Sequence, residues 1–325
     1  MASMPTATDA LPLAPTRRLA ATDLTVSPLC FGGNVFGWTA DHHESFALMD
    51  AYVGLGGNFI DTSDAYSHWI PGNTGGDSER IMGAWLADRG RRADLVIATK
   101  VAKLPARAGL APDNIRAALD DSLERLGTDY IDLYYAHEDD ETVPMLDYLQ
   151  AFDELVQAGT VRHIAASNFT PARLAEALRL QREHGLAPFV AVQDLYNLVE
   201  RTKYEQHLQP VVEEFGLSFL PYYALAKGFL SGKYRPGVEV DSMRAKGAVV
   251  YLDERGERVL AALDRAAAAH DCPVSAVALA WLLTRPGVAA PLASARTPEQ
   301  LADLVPMATL TLSAEEIADL DEASA

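Results

Sequence analysis

The chain has 325 residues, 49% of them apolar and 22% charged, which suffices for a sizeable globular core in one large or two ordinary domains. Its formal charge of -18 speaks against nucleic acid, whose binding needs a basic footprint, and against anionic membrane surfaces. The two cysteines, Cys30 and Cys272, lie far apart, form no metal-ligand cluster, and fit a reducing cytoplasm.

Met1 to Pro15 is rich in Ala, Thr and Pro, lacks the pattern of a signal peptide, and is expected to be a disordered tail. From Arg17 to Val26, β-prone pieces around Thr22-Asp23 predict a hairpin ahead of the main fold. Leu29 to Asn34 reads as a buried strand breaking into a Gly loop. Glu44 to Leu55 places Phe46, Met49, Tyr52 and Val53 on one helical face. Phe59 and Ile60 suit a strand that leaves the core at Asp61, with Tyr66 in the loop beyond. Asp77 or Ser78 is a candidate cap for a helix through Ile81, Met82, Trp85 and Leu86.

The alternation continues. Strands are predicted at Asp94–Thr99, Tyr130–Tyr135, Val161–Ala166, Phe189–Gln193, Leu217–Tyr222 and Val288–Pro291. Helices lie between them: Pro112–Leu126, Pro144–Ala158, Thr170 to about Glu183, and around Glu205–Phe215. Ala224 to Asp253 shows no clear period. Helical segments around Arg255–Ala269, Pro273–Leu283, Pro298–Val305 and Ser313–Ala323 complete the chain. The apolar run from Val259 to Leu283 is broken by Asp264, Arg265, His270 and Asp271, so no membrane span is expected. Eight strands alternating with helices run parallel and close into a (β/α)8 TIM barrel over residues 16–325, with the N-terminal hairpin and extra C-terminal helices. Function in such a fold lies at the C-terminal strand ends.

The residues leaving the second, third and fourth strands would therefore meet at one mouth: Asp61 with Tyr66, Lys100, and His137. A tyrosine near its ordinary pKa of ~10 is a poor proton donor at neutral pH. A neighbouring Lys⁺ is expected to stabilise the phenolate and lower that value, while the aspartate fixes the lysine. The histidine can hydrogen-bond and orient a carbonyl. Tyr66 then serves as general acid for reduction and as base for oxidation. Such a site supplies no hydride, and a nicotinamide cofactor is the economical source.

The stretches Asn58–Tyr66, Asp129–His137, Ala166–Phe169, Gln193–Asn197, Pro221–Tyr222, Leu225–Tyr234 and Pro298–Leu301, with Lys100 ending its strand, together resemble the aldo-keto reductase superfamily. The resemblance runs from about Arg17 to the C-terminus. Members are (β/α)8 barrels that bind NAD(P)H without a Rossmann domain, so the missing G-x-G-x-x-G motif is no obstacle. The resemblance implies a catalytic tetrad of Asp61, Tyr66, Lys100 and His137. It places Gly33, Asn34, Ser167, Asn168 and Gln193 near the cofactor, the last three on the nicotinamide carboxamide, with Tyr222 stacked on its ring. Leu225, Lys227, Gly228, Ser231 and Lys233 would cover the pyrophosphate, and Ser294, Arg296 and Gln300 the adenosine end.

Tyr223-Ala224-Leu225 departs from the family's usual residues after the stacking tyrosine, as do Ser294, Gln300 and Leu304 at the adenosine end. Arg296 is the candidate for a 2′-phosphate, which favours NADPH, with NADH left open. Phe36, Trp38 and Trp69 are the expected walls of a pocket for a small-molecule carbonyl substrate. A different class of function shares the fold: a cofactor-binding regulatory subunit of the channel β-subunit type, with little turnover. A metal-dependent hydrolase would need a His/Asp cluster that the sequence lacks.

Overall fold

The computed structural model describes Leu13, residues 16–243 and residues 245–325. The expected disordered tail therefore lies outside the described residues, save at Leu13, which is buried and donates its N–H to the Leu55 carbonyl. Strands β1 (Arg17–Arg18) and β2 (Thr25–Val26) pair antiparallel as the predicted hairpin. The remaining strands are β3 (Cys30–Gly32), β4 (Phe59–Asp61), β5 (Val96–Val101), β6 (Ile131–Ala136), β7 (Val161–Ser167), β8 (Phe189–Leu195), β9 (Ser218–Tyr222) and β10 (Leu292–Ala293). All eight are parallel, in the order β10-β3-β4-β5-β6-β7-β8-β9.

The ring closes just before β10. Phe219 donates its N–H to the Gly287 carbonyl at 2.7 Å, and Ala289 returns one to the Phe219 carbonyl at 2.9 Å. The last strand, expected at 288–291, is thus split: Val288 bridges to β9, while the ladder to β3 forms at Leu292–Ala293. Pro291 sits at the break. It has no N–H for a ladder, and its carbonyl accepts from Cys30 instead.

Two packed clusters follow from the period-two alternation of strand side chains. Cys30, Phe59, Ala98, Tyr135, Ala165, Ala191, Leu220 and Leu292 fill the barrel interior. Their neighbours Phe31, Ile60, Ile97, Tyr134, Ile164, Val192 and Phe219 face outward and pack in the other cluster with the helices. Leu19, Leu24 and Val26 of the hairpin join the interior cluster and plug its N-terminal end. Each fully buried Leu, Val or Phe contributes roughly 1.5–3 kcal/mol of transfer free energy.

The helix Pro112–Leu126 has Pro at its start and Gly127 at φ 63 beyond its end, as expected. The helix Asp77–Arg89 differs from expectation at its start. Gly76 stands at its N-cap with no side-chain cap, because Ser78 Oγ is spent on the Gly33 carbonyl, at 2.8 Å. Between Ala224 and Asp253 the described residues form short turns, Ala226–Ser231 and Val249–Tyr251, with a four-residue helix at Ala245–Ala248. Helices Glu254–His270, Val274–Leu283, Pro298–Ala302 and Ala314–Ala323 end the chain. Among the described residues no single helix is long and apolar enough to cross a membrane; the apolar Val274–Leu283 is almost wholly buried.

Candidate active site

The alternation that fills the interior also builds the mouth. Two residues beyond Phe59, Ala98, Tyr135, Ala165, Ala191, Leu220 and Leu292 come Asp61, Lys100, His137, Ser167, Gln193, Tyr222 and Ser294. Each therefore belongs to the next inward layer, at the C-terminal end of its strand. Register supports this ring: Asp61 aligns with Gly32 and Ala98, and Ser167 with Gln193.

Lys100 is at the centre. Its Nζ donates to Asp61 Oδ1 at 2.5 Å, to the Thr62 carbonyl at 2.7 Å and to the Tyr66 hydroxyl at 2.8 Å. Three ammonium protons thus meet three acceptors. The Tyr66 hydroxyl donates to Asp61 Oδ1 at 2.9 Å, and Gln193 Nε2 donates to Oδ2 at 2.9 Å. Asp61 and Lys100 are wholly buried, whereas Tyr66 is partly exposed. His137 stands edge-on to Tyr66 with ring centroids 6.1 Å apart. Its backbone is pinned on both sides, the N–H to Val101 and the carbonyl to Asn168 Nδ2.

Electrostatics correct one expectation. Burial, then the charge and hydrogen bond of Asp61, push the Tyr66 phenol well above its ordinary value. The net shift is therefore upward rather than downward, with burial as its largest cause. Burial pulls the Lys100 ammonium down, against the pull of Asp61. Burial, then Lys100 and Lys103, hold the His137 imidazole well below its usual range, so the ring is neutral. The site therefore holds a neutral phenol and a neutral imidazole beside a buried ion pair.

On the side expected to hold a cofactor, Asn168 sits at φ 58 and accepts at Oδ1 from the Tyr222 hydroxyl at 2.8 Å. Its Nδ2 also reaches Ser167 Oγ at 2.9 Å. Gln193, expected on the carboxamide, donates from Nε2 to Asp61 Oδ2. Gly33 is crowded: an added Cβ would lie 3.1 Å from the Asp61 carbonyl. Asn34 Oδ1 accepts from Ser294 Oγ at 2.6 Å, joining the first and last strand ends.

The segment after Leu225 carries a run of left-handed residues, Ala226 at φ 47, Lys227 at φ 58 and Gly228 at φ 95. Within this run the Ala226 and Gly228 N–H groups donate to the Tyr223 and Leu225 carbonyls, at 2.7 and 2.8 Å, so they fold the loop on itself. Ser231 Oγ donates to the Gly228 carbonyl, and the Lys227 and Lys233 ammonium groups lie over the rings of Tyr223 and Tyr234. Arg296 is half-buried and forms no ion pair with a carboxylate among the described residues, while its N–H donates to Gln300 Oε1 at 3.0 Å.

At the mouth, Trp38 and Trp69 meet edge to face with centroids 5.6 Å apart, and Trp69 is 45% exposed. Phe36 is not beside them on the surface. It is fully buried against Phe31, and only its carbonyl, which accepts from Ser67 Oγ, faces this loop. Two residues with no expected role stand close to the tetrad: Ser63, within 3.2 Å of His137 Nδ1, and Asp64, which Ser63 also touches. Both lie inside the Asn58–Tyr66 stretch, where a buried acid following two hydroxyl residues was the available signal. Among the described residues no group of His, Cys, Asp and Glu could hold a metal ion.

The profile of the "Aldo/keto reductase family" matches residues 28–325. The chain is 33% identical to "Protein tas" of Escherichia coli, across 94% of this chain and 96% of that protein. It is 29% identical to "Norsolorinic acid reductase B" of Aspergillus parasiticus, across 93% of this chain and 82% of that protein. Similarity to "Aryl-alcohol dehydrogenase GME11368" of Pestalotiopsis microspora is also 29%, across 91% of this chain and 78% of the relative.

Proposed function

Since the chain belongs to the aldo/keto reductase family, we propose that it is an NAD(P)H-dependent reductase turning an aldehyde or ketone into an alcohol. The nicotinamide, when bound, supplies the hydride. The Tyr66 hydroxyl gives its proton to the carbonyl oxygen, leaving its hydrogen bond to Asp61 to do so. Lys100, 2.8 Å away, steadies the phenolate that remains, and Asp61 keeps the lysine in place. His137 hydrogen-bonds and orients the same oxygen. The observation that carries this proposal is the partly exposed Tyr66 phenol held between a buried Lys and Asp.

Ser167, Asn168, Gln193 and Tyr222 would hold the nicotinamide, and the stretch Leu225 to Lys233, with its Ser231 hydroxyl, would cover the pyrophosphate. Arg296 would take the 2′-phosphate of NADPH, its guanidinium being without a carboxylate partner among the described residues. Trp38 and Trp69, together with a relative named for an aryl alcohol, favour an aromatic carbonyl compound. Residues 16–325 would act as one barrel domain in the cytoplasm.

The test is NADPH oxidation by the purified protein with a panel of aromatic aldehydes, ketones and quinones, NADH being run in parallel. Turnover that tracks the added carbonyl supports the proposal. Absence of turnover with either cofactor would instead favour a regulatory, cofactor-binding subunit.

A further inference from the structure

One hydrogen bond of His137 has no role in the proposed reaction. Ser63 Oγ lies 3.2 Å from His137 Nδ1, 3.1 Å from Asp64 Oδ1 and 3.1 Å from the Ala65 nitrogen. Ser63 and Asp64 are wholly buried. A serine hydroxyl has one proton and two lone pairs. The Ala65 N–H occupies one lone pair. The proton and the other lone pair are left for Asp64 and His137, so Ser63 donates to one of them and accepts from the other.

We propose that Ser63 and Asp64 form a proton relay that decides which nitrogen of His137 carries hydrogen. With Asp64 ionised, Ser63 must donate to Oδ1, because a carboxylate only accepts. His137 then donates from Nδ1, and Nε2 is bare. With Asp64 protonated on Oδ1, the carboxyl donates to Ser63 Oγ and Ser63 donates to Nδ1. Nε2 then carries the hydrogen. Conversion takes up one proton at Nε2, moves the Nδ1 proton to Ser63 Oγ, and moves the Ser63 proton to Asp64 Oδ1. No electrons are transferred and no other bond changes.

The surroundings of Asp64 let both forms exist. Its Oδ2 is buried without a hydrogen-bond partner. From the helix Asp77–Arg89 it feels the Glu79 carboxylate, which accepts from Thr99 Oγ1 at 2.5 Å and from Arg125 Nε at 2.6 Å. Arg125, from the helix Pro112–Leu126, and Lys100, from β5, oppose it with positive charge. Tyr134, from β6, presents a phenol that burial keeps protonated. Burial and then Glu79 raise the Asp64 carboxyl to about 7. His137, beside Lys100 and Lys103, remains neutral across that titration.

The consequence rests on His137 being the group that hydrogen-bonds the substrate oxygen. An Nε2–H donates to a carbonyl, as reduction needs. A bare Nε2 accepts from an alcohol O–H, as oxidation needs. Reduction is therefore favoured below neutral pH and oxidation above it, with His137 uncharged throughout. Ser63 and Asp64 are positioning residues here, since neither reaches the substrate.

The experiment is nitrogen-15 NMR of the full-length protein with labelled histidine, the His137 signals being assigned by their loss in His137→Gln. As pH rises through about 7, His137 should pass from the Nε2–H to the Nδ1–H form. The passage should vanish in Ser63→Ala and in Asp64→Asn. A native protein whose His137 keeps one tautomer across this range overturns the relay, even if neither variant folds. Because the tautomer is read without substrate, a switch seen in a protein that reduces no carbonyl would sink the reductase proposal and leave the relay standing.

Discussion

The Lys100 ammonium and the Asp61 carboxylate stand 2.5 Å apart, and neither side chain reaches solvent. A pair this deep gains its Coulomb energy only against a large desolvation cost, so it is poor evidence of stabilisation in itself. Its value lies in position. Lys100 comes from β5 and Asp61 from β4, and Tyr66 closes a triangle with them.

Lys100→Met should lower stability by about 3–5 kcal/mol, because it leaves Asp61 charged and buried with only Tyr66 and Gln193 as partners. Adding Asp61→Asn should recover part of that loss. Urea unfolding of the two single variants and the double variant measures the coupling, and simple additivity would contradict it.

Gly83→Ala ought to be destabilising despite the higher helix propensity of alanine. The added Cβ would stand 2.1 Å from the backbone oxygen of Arg125, where the helices Asp77–Arg89 and Pro112–Leu126 touch. Propensity favours Ala by about 1 kcal/mol, and overpacking against a fixed backbone costs about 1–3 kcal/mol. A raised melting temperature would show that the helices part more easily than their packing implies.

Asp64 should make the native state less stable as pH rises. Its carboxyl is held at about 7 when folded against an ordinary 3.8, so between those values the folded chain binds more protons than the unfolded one. The slope of unfolding free energy with pH is then negative for this group. Its contribution falls from pH 3.8 to about 7 and is level above. Asp64→Asn should flatten that part of the curve, gaining most relative to the native protein above pH 7; parallel curves for the two proteins would remove the assignment.

Arg296→Ala should weaken NADPH far more than NADH. A charge-assisted hydrogen bond is worth about 1.5–3 kcal/mol, or about tenfold and upward in affinity. Fluorescence titration of the two cofactors measures the ratio, and equal losses would place the 2′-phosphate elsewhere.

Much of the site was legible because β-strand alternation is local. An inward Phe59, Ala98 or Tyr135 fixes Asp61, Lys100 or His137 as the next inward residue, so strand ends point to the mouth without any tertiary knowledge. Features set by long-range packing were harder to read. Pro291 marks a break in the last strand, but which neighbour takes Val288 depends on how the ring closes. Phe36 looks like a pocket wall in sequence, and Phe31 draws it into the core. The upward push on Tyr66 comes from burial first and from the Asp61 carboxylate second, and the depth of burial is not encoded in the motif. Ser63 and Asp64 became visible only once His137, from a distant strand end, was brought against them.

The most direct measurement is carbonyl reduction by Tyr66→Phe alongside cofactor binding by the same variant. The phenol's loss removes a proton donor worth about 10²–10⁴-fold in rate and leaves the cofactor residues untouched. Reduction should therefore fall by that order while NADPH still binds with native affinity. A variant that binds the cofactor and reduces carbonyls at the native rate would contradict Tyr66 as the acid.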